Sequence, residues 1–130
     1  MKTTRRTLHL VAIALSLTMV TSSLIAPAHA GLAEGIAAYE AGNPQLAAKE
    51  FRAGADKGDS DCQFNLGLMY EQGMGIAKNE KEAAYWYQKA GELGNANAQF
   101  NLGVLYENGR GTAVDFARAN QWYRKAAVQG

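Results

Sequence analysis

Two patterns of apolar residues run along this chain, one continuous and one periodic. From Leu8 to Ala26 the residues form an apolar run without an acid, preceded by Lys2, Arg5 and Arg6 and followed by Ala28-His29-Ala30. A basic start, an apolar stretch and a small-x-small site predict a cleaved signal peptide over residues 1–30. The run is long enough to cross a bilayer marginally, which makes a membrane anchor the alternative. Ser16, Thr18, Thr21, Ser22, Ser23 and His9 interrupt it and favour cleavage. Arg5-Arg6 suggests a twin-arginine route, but His9 stands where that signal prefers an apolar residue, so the general secretory route fits better. The residue directly after Ala30 is Gly31 rather than a cysteine, which speaks against a lipid anchor.

Beyond residue 30 the apolar positions recur three and four apart, and the recurrence is itself repeated. A shift of 36 residues aligns 59–94 with 95–130, with 16 identical pairs that include Gln63/Gln99, Leu66/Leu102, Gly67/Gly103, Tyr70/Tyr106, Trp86/Trp122 and Tyr87/Tyr123. A fixed period of this size is the mark of a solenoid. One period upstream, Ala47, Phe51, Ala55 and Gly58 align with Ala83, Tyr87, Gly91 and Gly94, behind a first helix carrying Tyr39 and Gly42 and a loop about five residues shorter.

Each unit predicts a helical hairpin. On a wheel of 100° per residue, Cys62, Gln63, Gly67, Met69 and Tyr70 fall within about 100° of Leu66, forming one packing face. Ala83, Trp86, Tyr87 and Ala90 keep the spacing of a second helix. Gly73 and Gly75 turn the chain between them, and Gly94 closes the pair. Asn43-Pro44 marks a helix start. The expected class is all-α, an α/α solenoid of antiparallel helix pairs with about six helices at roughly 32–41, 44–57, 60–72, 80–93, 96–108 and 116–129. Its three units span 31–58, which is degenerate, 59–94 and 95–130.

Charge and composition narrow the chemistry. Without Lys2, Arg5 and Arg6, ten of the 13 Lys and Arg remain against 12 Asp and Glu, a net charge of −2 with no footprint for nucleic acid. Both histidines, His9 and His29, lie in the leader, and Cys62 is the single cysteine. His-based catalysis, His metal sites and an internal disulfide are therefore excluded from residues 31–130. No cofactor, no metal and no enzymatic activity are expected. The 100 residues from Gly31 suffice for one domain with one core.

Three strings stand out: Gln63-Phe64-Asn65-Leu66-Gly67-Leu68-Met69-Tyr70, Gly73-Met74-Gly75, and Ala83-Ala84-Tyr85-Trp86-Tyr87-Gln88-Lys89-Ala90. Together with their second copy at 99–126, they resemble the Sel-one-like repeat (SLR) family, relatives of tetratricopeptide repeats. The resemblance implies a curved solenoid acting as an adaptor for a protein or peptide, and exported bacterial members resemble periplasmic or secreted scaffolds of the cell envelope. Thr112 departs from the pattern, since an apolar residue such as Ile76 usually follows the second glycine. A cysteine-rich branch includes penicillin-binding proteins and weak β-lactamases, but the paired cysteines are missing here and that activity is not carried over. An envelope enzyme acting on a β-lactam or peptidoglycan remains the alternative to the adaptor.

Candidate residues have bland readings as well. Cys62 corresponds to Ala98 in the next unit, and without a histidine to activate it, it reads as a small buried side chain rather than a nucleophile. Asp59, Asp61, Glu80, Glu82 and Glu92 read as ordinary solvated positions. Glu71 and Glu107 recur beside Asn65 and Asn101, either paired with a cation for the scaffold or facing a ligand. Phe64 and Leu68 lie about 160° from Leu66 on the wheel, with Glu71 at about 140° and Asn65 at about −100°. Phe100, Val104, Glu107 and Asn101 repeat the arrangement. Either these residues pack against neighbouring helices or they form an apolar strip on the concave face, with Phe64, Asn65, Leu68, Glu71, Phe100, Asn101, Val104 and Glu107 as the partner-binding set. The expected partner is a protein or peptide of the envelope, with no stable membrane insertion once the leader is removed.

Overall fold

The computed structural model describes residues 30–130, and the segment read as a signal peptide lies outside them apart from Ala30. Six helices follow in order among the described residues, with no strand: α1 (Ala30–Glu40), α2 (Pro44–Asp56), α3 (Ser60–Gln72), α4 (Glu80–Glu92), α5 (Ala96–Asn108) and α6 (Phe116–Val128). Their starts are written in short polar side chains. Asn43, Asp59, Asn79, Asn95 and Asp115 each accept a hydrogen bond from a first-turn N–H with a side-chain oxygen, satisfying donors that have no partner inside the helix. Gly73 and Gly109 end α3 and α5 at φ +68° and +64°, a left-handed conformation that other residues adopt only at a cost.

Helices pair as α1/α2, α3/α4 and α5/α6, and the hairpins stack through α2/α3 and α4/α5. This is the expected helical solenoid. Within each hairpin a glycine of the first helix lies under an aromatic ring of the second. A Cβ at Gly67 would stand 2.6 Å from ring atoms of Tyr87, and one at Gly103 would stand 2.6 Å from Tyr123. The recurring Leu-Gly pair is thus a packing device: leucine fills the core while glycine lets the axes approach.

Between hairpins the buried glutamines act as pins. Gln63 donates to the Ala55 carbonyl at 3.2 Å and Gln99 to the Gly91 carbonyl at 2.9 Å. Cys62 is fully buried against Gly54 as a free thiol, in agreement with the bland reading. Burial, reinforced by the nearby carboxylate of Asp59, pushes its pKa up to about 12, so it is protonated at neutral pH.

Two tryptophans in equivalent places differ. Trp86 is 5% exposed, with the Arg52 guanidinium 5.6 Å from its ring. Trp122 is half-buried; Gln88 occupies the position equivalent to Arg52, and Lys125 is the one cation stacked on the ring among the described residues.

Candidate functional site

The first helices α1, α3 and α5 form one row, and the spaces between neighbours in this row are not alike. Between α3 and α5 the space is closed by a polar bridge. The Tyr87 hydroxyl donates to Glu71 Oε2 at 2.5 Å, and the Asn101 amide lies beside the same hydroxyl. Arg110 pairs with Glu71 Oε1 at 3.1 Å and with Glu80 Oε1 at 3.0 Å. Burial, followed by the Glu71 acceptor, holds the Tyr87 pKa well above its ordinary value.

Between α1 and α3 the bridge keeps only its amide, Asn65 standing where Asn101 stands one unit on, and its other members are replaced. Phe51 stands for Tyr87 and Met74 for Arg110 at the repeat spacing, while Tyr39 takes the place of Glu71 when Gly35 is aligned with Gly67. In place of the hydroxyl, the carboxylate and the guanidinium there is only a weak contact, the Tyr39 hydroxyl donating to Met74 Sδ at 4.0 Å. A cavity of about 340 Å³ opens instead, with Phe51 and Met69 at its base, Ile36 and Tyr39 on one side, Asn65 and Leu68 on the other, and Met74 at the end. Tyr39 is 52% and Ile36 43% exposed, so the apolar walls reach solvent.

The sequence-named set is therefore divided by the structure. Asn65 and Leu68 line the cavity, and Asn65 also donates to the Asp61 carbonyl at 2.8 Å. Glu71 and Asn101 belong to the bridge. Glu107 accepts from the Tyr123 hydroxyl at 2.7 Å, the equivalent contact one unit on, and burial together with Glu107 pushes the Tyr123 pKa up to about 12. Phe64 is half-buried with its ring 5.9 Å from that of Tyr87, and Leu68 also packs against this second part of the core. Phe100 is 54% exposed, 5.5 Å from the Tyr123 ring, and Val104 is half-buried.

Some acids are not the ordinary solvated positions expected of them. Asp59 caps α3 and Asp61 accepts from Asn95 at 2.9 Å across the hairpins, while Glu80 is half-buried against Arg110. Their partners lie up to 34 residues away, beyond local pattern. The cavity residues Ile36, Tyr39, Phe51 and Met74 were not singled out as a site from sequence. The signal was present, as departures of the first unit from the other two.

With this geometry the comparison with known proteins is direct. The Sel1 repeat model matches residues 60–95 and 96–130. The chain belongs to the Sel1 repeat family. A Sel1 repeat protein from Oxalobacter formigenes is 39% identical over 76% of this chain and 39% of its own, with a TM-score of 0.70. The uropathogenic Escherichia coli protective antigen c5321, which displays an SLR fold, is 37% identical over 88% of this chain and 25% of its own, with a TM-score of 0.76. The chain thus spans well under half the length of either. Helicobacter pylori cysteine-rich protein B shares the fold at 24% identity and a TM-score of 0.64, over 66% of this chain and 65% of its own. No curated protein matches the chain. Sel1 repeats are generally non-enzymatic scaffolds that bind protein partners.

Proposed function

We propose that this Sel1-repeat chain is an adaptor of the bacterial cell envelope that holds an extended peptide or a protein segment along the row of first helices, seating one large apolar side chain in the cavity between α1 and α3. The observation that carries this reading is the difference between neighbouring units: the same space is braced by Tyr87, Glu71, Asn101 and Arg110 one unit on, and is left open and apolar here. An open, largely pre-formed apolar recess with a few polar groups at its rim is the usual form of a recognition pocket. Asn65 at the wall supplies an amide for backbone or side-chain hydrogen bonds, and Glu40 at the mouth favours a cation beside the anchor. Of the remaining strip, Leu68 borders the cavity and exposed Phe100 lies further along the row, whereas Phe64, Glu71, Asn101 and Glu107 are engaged within the fold by Tyr87, Arg110 and Tyr123. The leader over residues 1–30 supports export to the periplasm or beyond, where such a partner would be met.

A peptide-display selection against the purified protein tests this, with affinities measured by fluorescence polarisation. Selected peptides are expected to share an aromatic or branched aliphatic anchor. Met74→Arg, which places in the cavity the side chain that Arg110 places one unit on, should weaken binding at least about tenfold, or about 1.4 kcal/mol, with melting nearly unchanged. Undiminished binding by Met74→Arg would move the site away from the cavity.

A further inference from the structure

Two methionines lie among the described residues, both lining the recess between α1 and α3, and their surroundings differ. Met69 belongs to α3, is 2% exposed and is packed into the core of the first two hairpins. Met74 is half-buried at the end of the recess, between Gly73 and Gly75, neither of which carries a side chain to cover it. Its backbone is fixed, since both glycines hold positive φ and the Met74 N–H donates to the Met69 carbonyl at 3.0 Å. The thioether is thereby presented at the edge of an open space.

Across that space the Tyr39 hydroxyl stands 4.0 Å from Met74 Sδ. A thioether is a weak acceptor, so this contact holds little. One unit on, Arg110 occupies the same repeat position, pairs with Glu71 and Glu80, and helps to close the corresponding space. What position 74 lacks is a strong polar group, and oxidation supplies one. In the reaction with hydrogen peroxide a sulfur lone pair forms the S–O bond and the O–O bond breaks; sulfur is oxidised by two electrons and the peroxide is reduced to water. The oxygen left on sulfur is a strong acceptor. An S–O bond followed by an O–H···O hydrogen bond of about 2.7 Å spans roughly the 4.0 Å that separates sulfur from the Tyr39 hydroxyl, so the link forms without moving either backbone.

We propose that Met74 is a reversible oxidation site, whose sulfoxide bonds the Tyr39 hydroxyl across the α1/α3 space and closes the recess to an apolar anchor. The consequence for binding rests on the reading of that recess as the partner's site. There the recess exchanges an apolar wall for a polar group that an entering apolar side chain would strip of water. A thiol-dependent sulfoxide reductase reverses the step: two thiols become a disulfide, the oxygen leaves as water, and the thioether returns.

Protein labelled at its methionine methyls and treated with graded hydrogen peroxide tests this by NMR. Met74 is expected to convert at least tenfold faster than Met69. After conversion, amide exchange near Tyr39 should slow several-fold, and in Tyr39→Phe, which lacks the hydroxyl, it should not. The oxidised protein should bind an anchored peptide at least tenfold more weakly and recover on treatment with methionine sulfoxide reductase, while Met74→Leu should show the same affinity before and after peroxide. Equal conversion of the two methionines, unchanged exchange near Tyr39, or undiminished binding by the oxidised protein would each overturn the proposal. Conversion and exchange are read without peptide, so a reduced protein that captures no anchored peptide would reject the adaptor reading alone, and those two measurements would still decide the link between Met74 and Tyr39.

Discussion

At the scale of single residues, the chain shows how one packing volume is shared in two ways. Gly54 and Cys62 meet across the α2/α3 junction, where a Cβ on Gly54 would run into the Cys62 sulfur. One period on, the same two positions are Ala90 and Ala98, both fully buried. The pair thus trades one side chain's bulk for the other's. Gly54→Ala alone should cost about 1–3 kcal/mol by overpacking. Adding Cys62→Ala should recover most of it by recreating the alanine pair, a coupling of about 1 kcal/mol or more that a double-mutant cycle in urea would measure. Purely additive effects would mean the two positions do not share space.

The elements owe their limits to backbone chemistry and their spacing to close approach. Gly75 and Gly94 both sit at positive φ, +70° and +95°. Around Gly94 there is open space, whereas a Cβ at Gly75 would collide with the Pro44 carbonyl of the preceding hairpin. Gly94→Ala should therefore cost only the left-handed penalty, about 1–2 kcal/mol. Gly75→Ala should cost clearly more and should loosen the stack of the first two hairpins, which hydrogen exchange at the start of α2 would register. The short loop after α1 was legible as a deletion in the repeat, but its consequence was not. It sets Tyr39 opposite Leu68, and no local pattern states which side chains face each other across two helices.

For the molecule as a whole, stacking makes stability directional. Trp86 is enclosed by the first and second hairpins, with Arg52 closing the edge, while Trp122 at the equivalent place packs over Gly91 and has Lys125 but no arginine on its ring, and stays half-buried. Trp86→Ala should remove about 3–5 kcal/mol, much of the stability of so small a domain. Trp122→Ala should cost about half as much and unfold mainly the last hairpin, as expected of an array held by nearest neighbours. Denaturant melts followed by the tryptophan that remains in each variant would separate the two. Equal losses would show a single cooperative core without a weaker end.

The residues by themselves determined the helical class, the number of hairpins, the helix limits to within about two residues, and the burial of Cys62, Leu66 and Trp86. Those features follow from local rules: Asx caps, glycine at positive φ, and apolar spacing repeated at a fixed period. Tertiary structure alone decided which of the repeated outward residues are free. Glu71 and Asn101 are drawn into the bridge of Tyr87 and Arg110, Glu107 onto Tyr123, and Phe64 onto the Tyr87 ring, while Asn65 and Leu68 border an open recess. A wheel assigns each residue a direction on its own helix. What stands opposite is set by the neighbouring unit, and a change of tyrosine to phenylalanine and of arginine to methionine there turns a closed polar contact into a cavity.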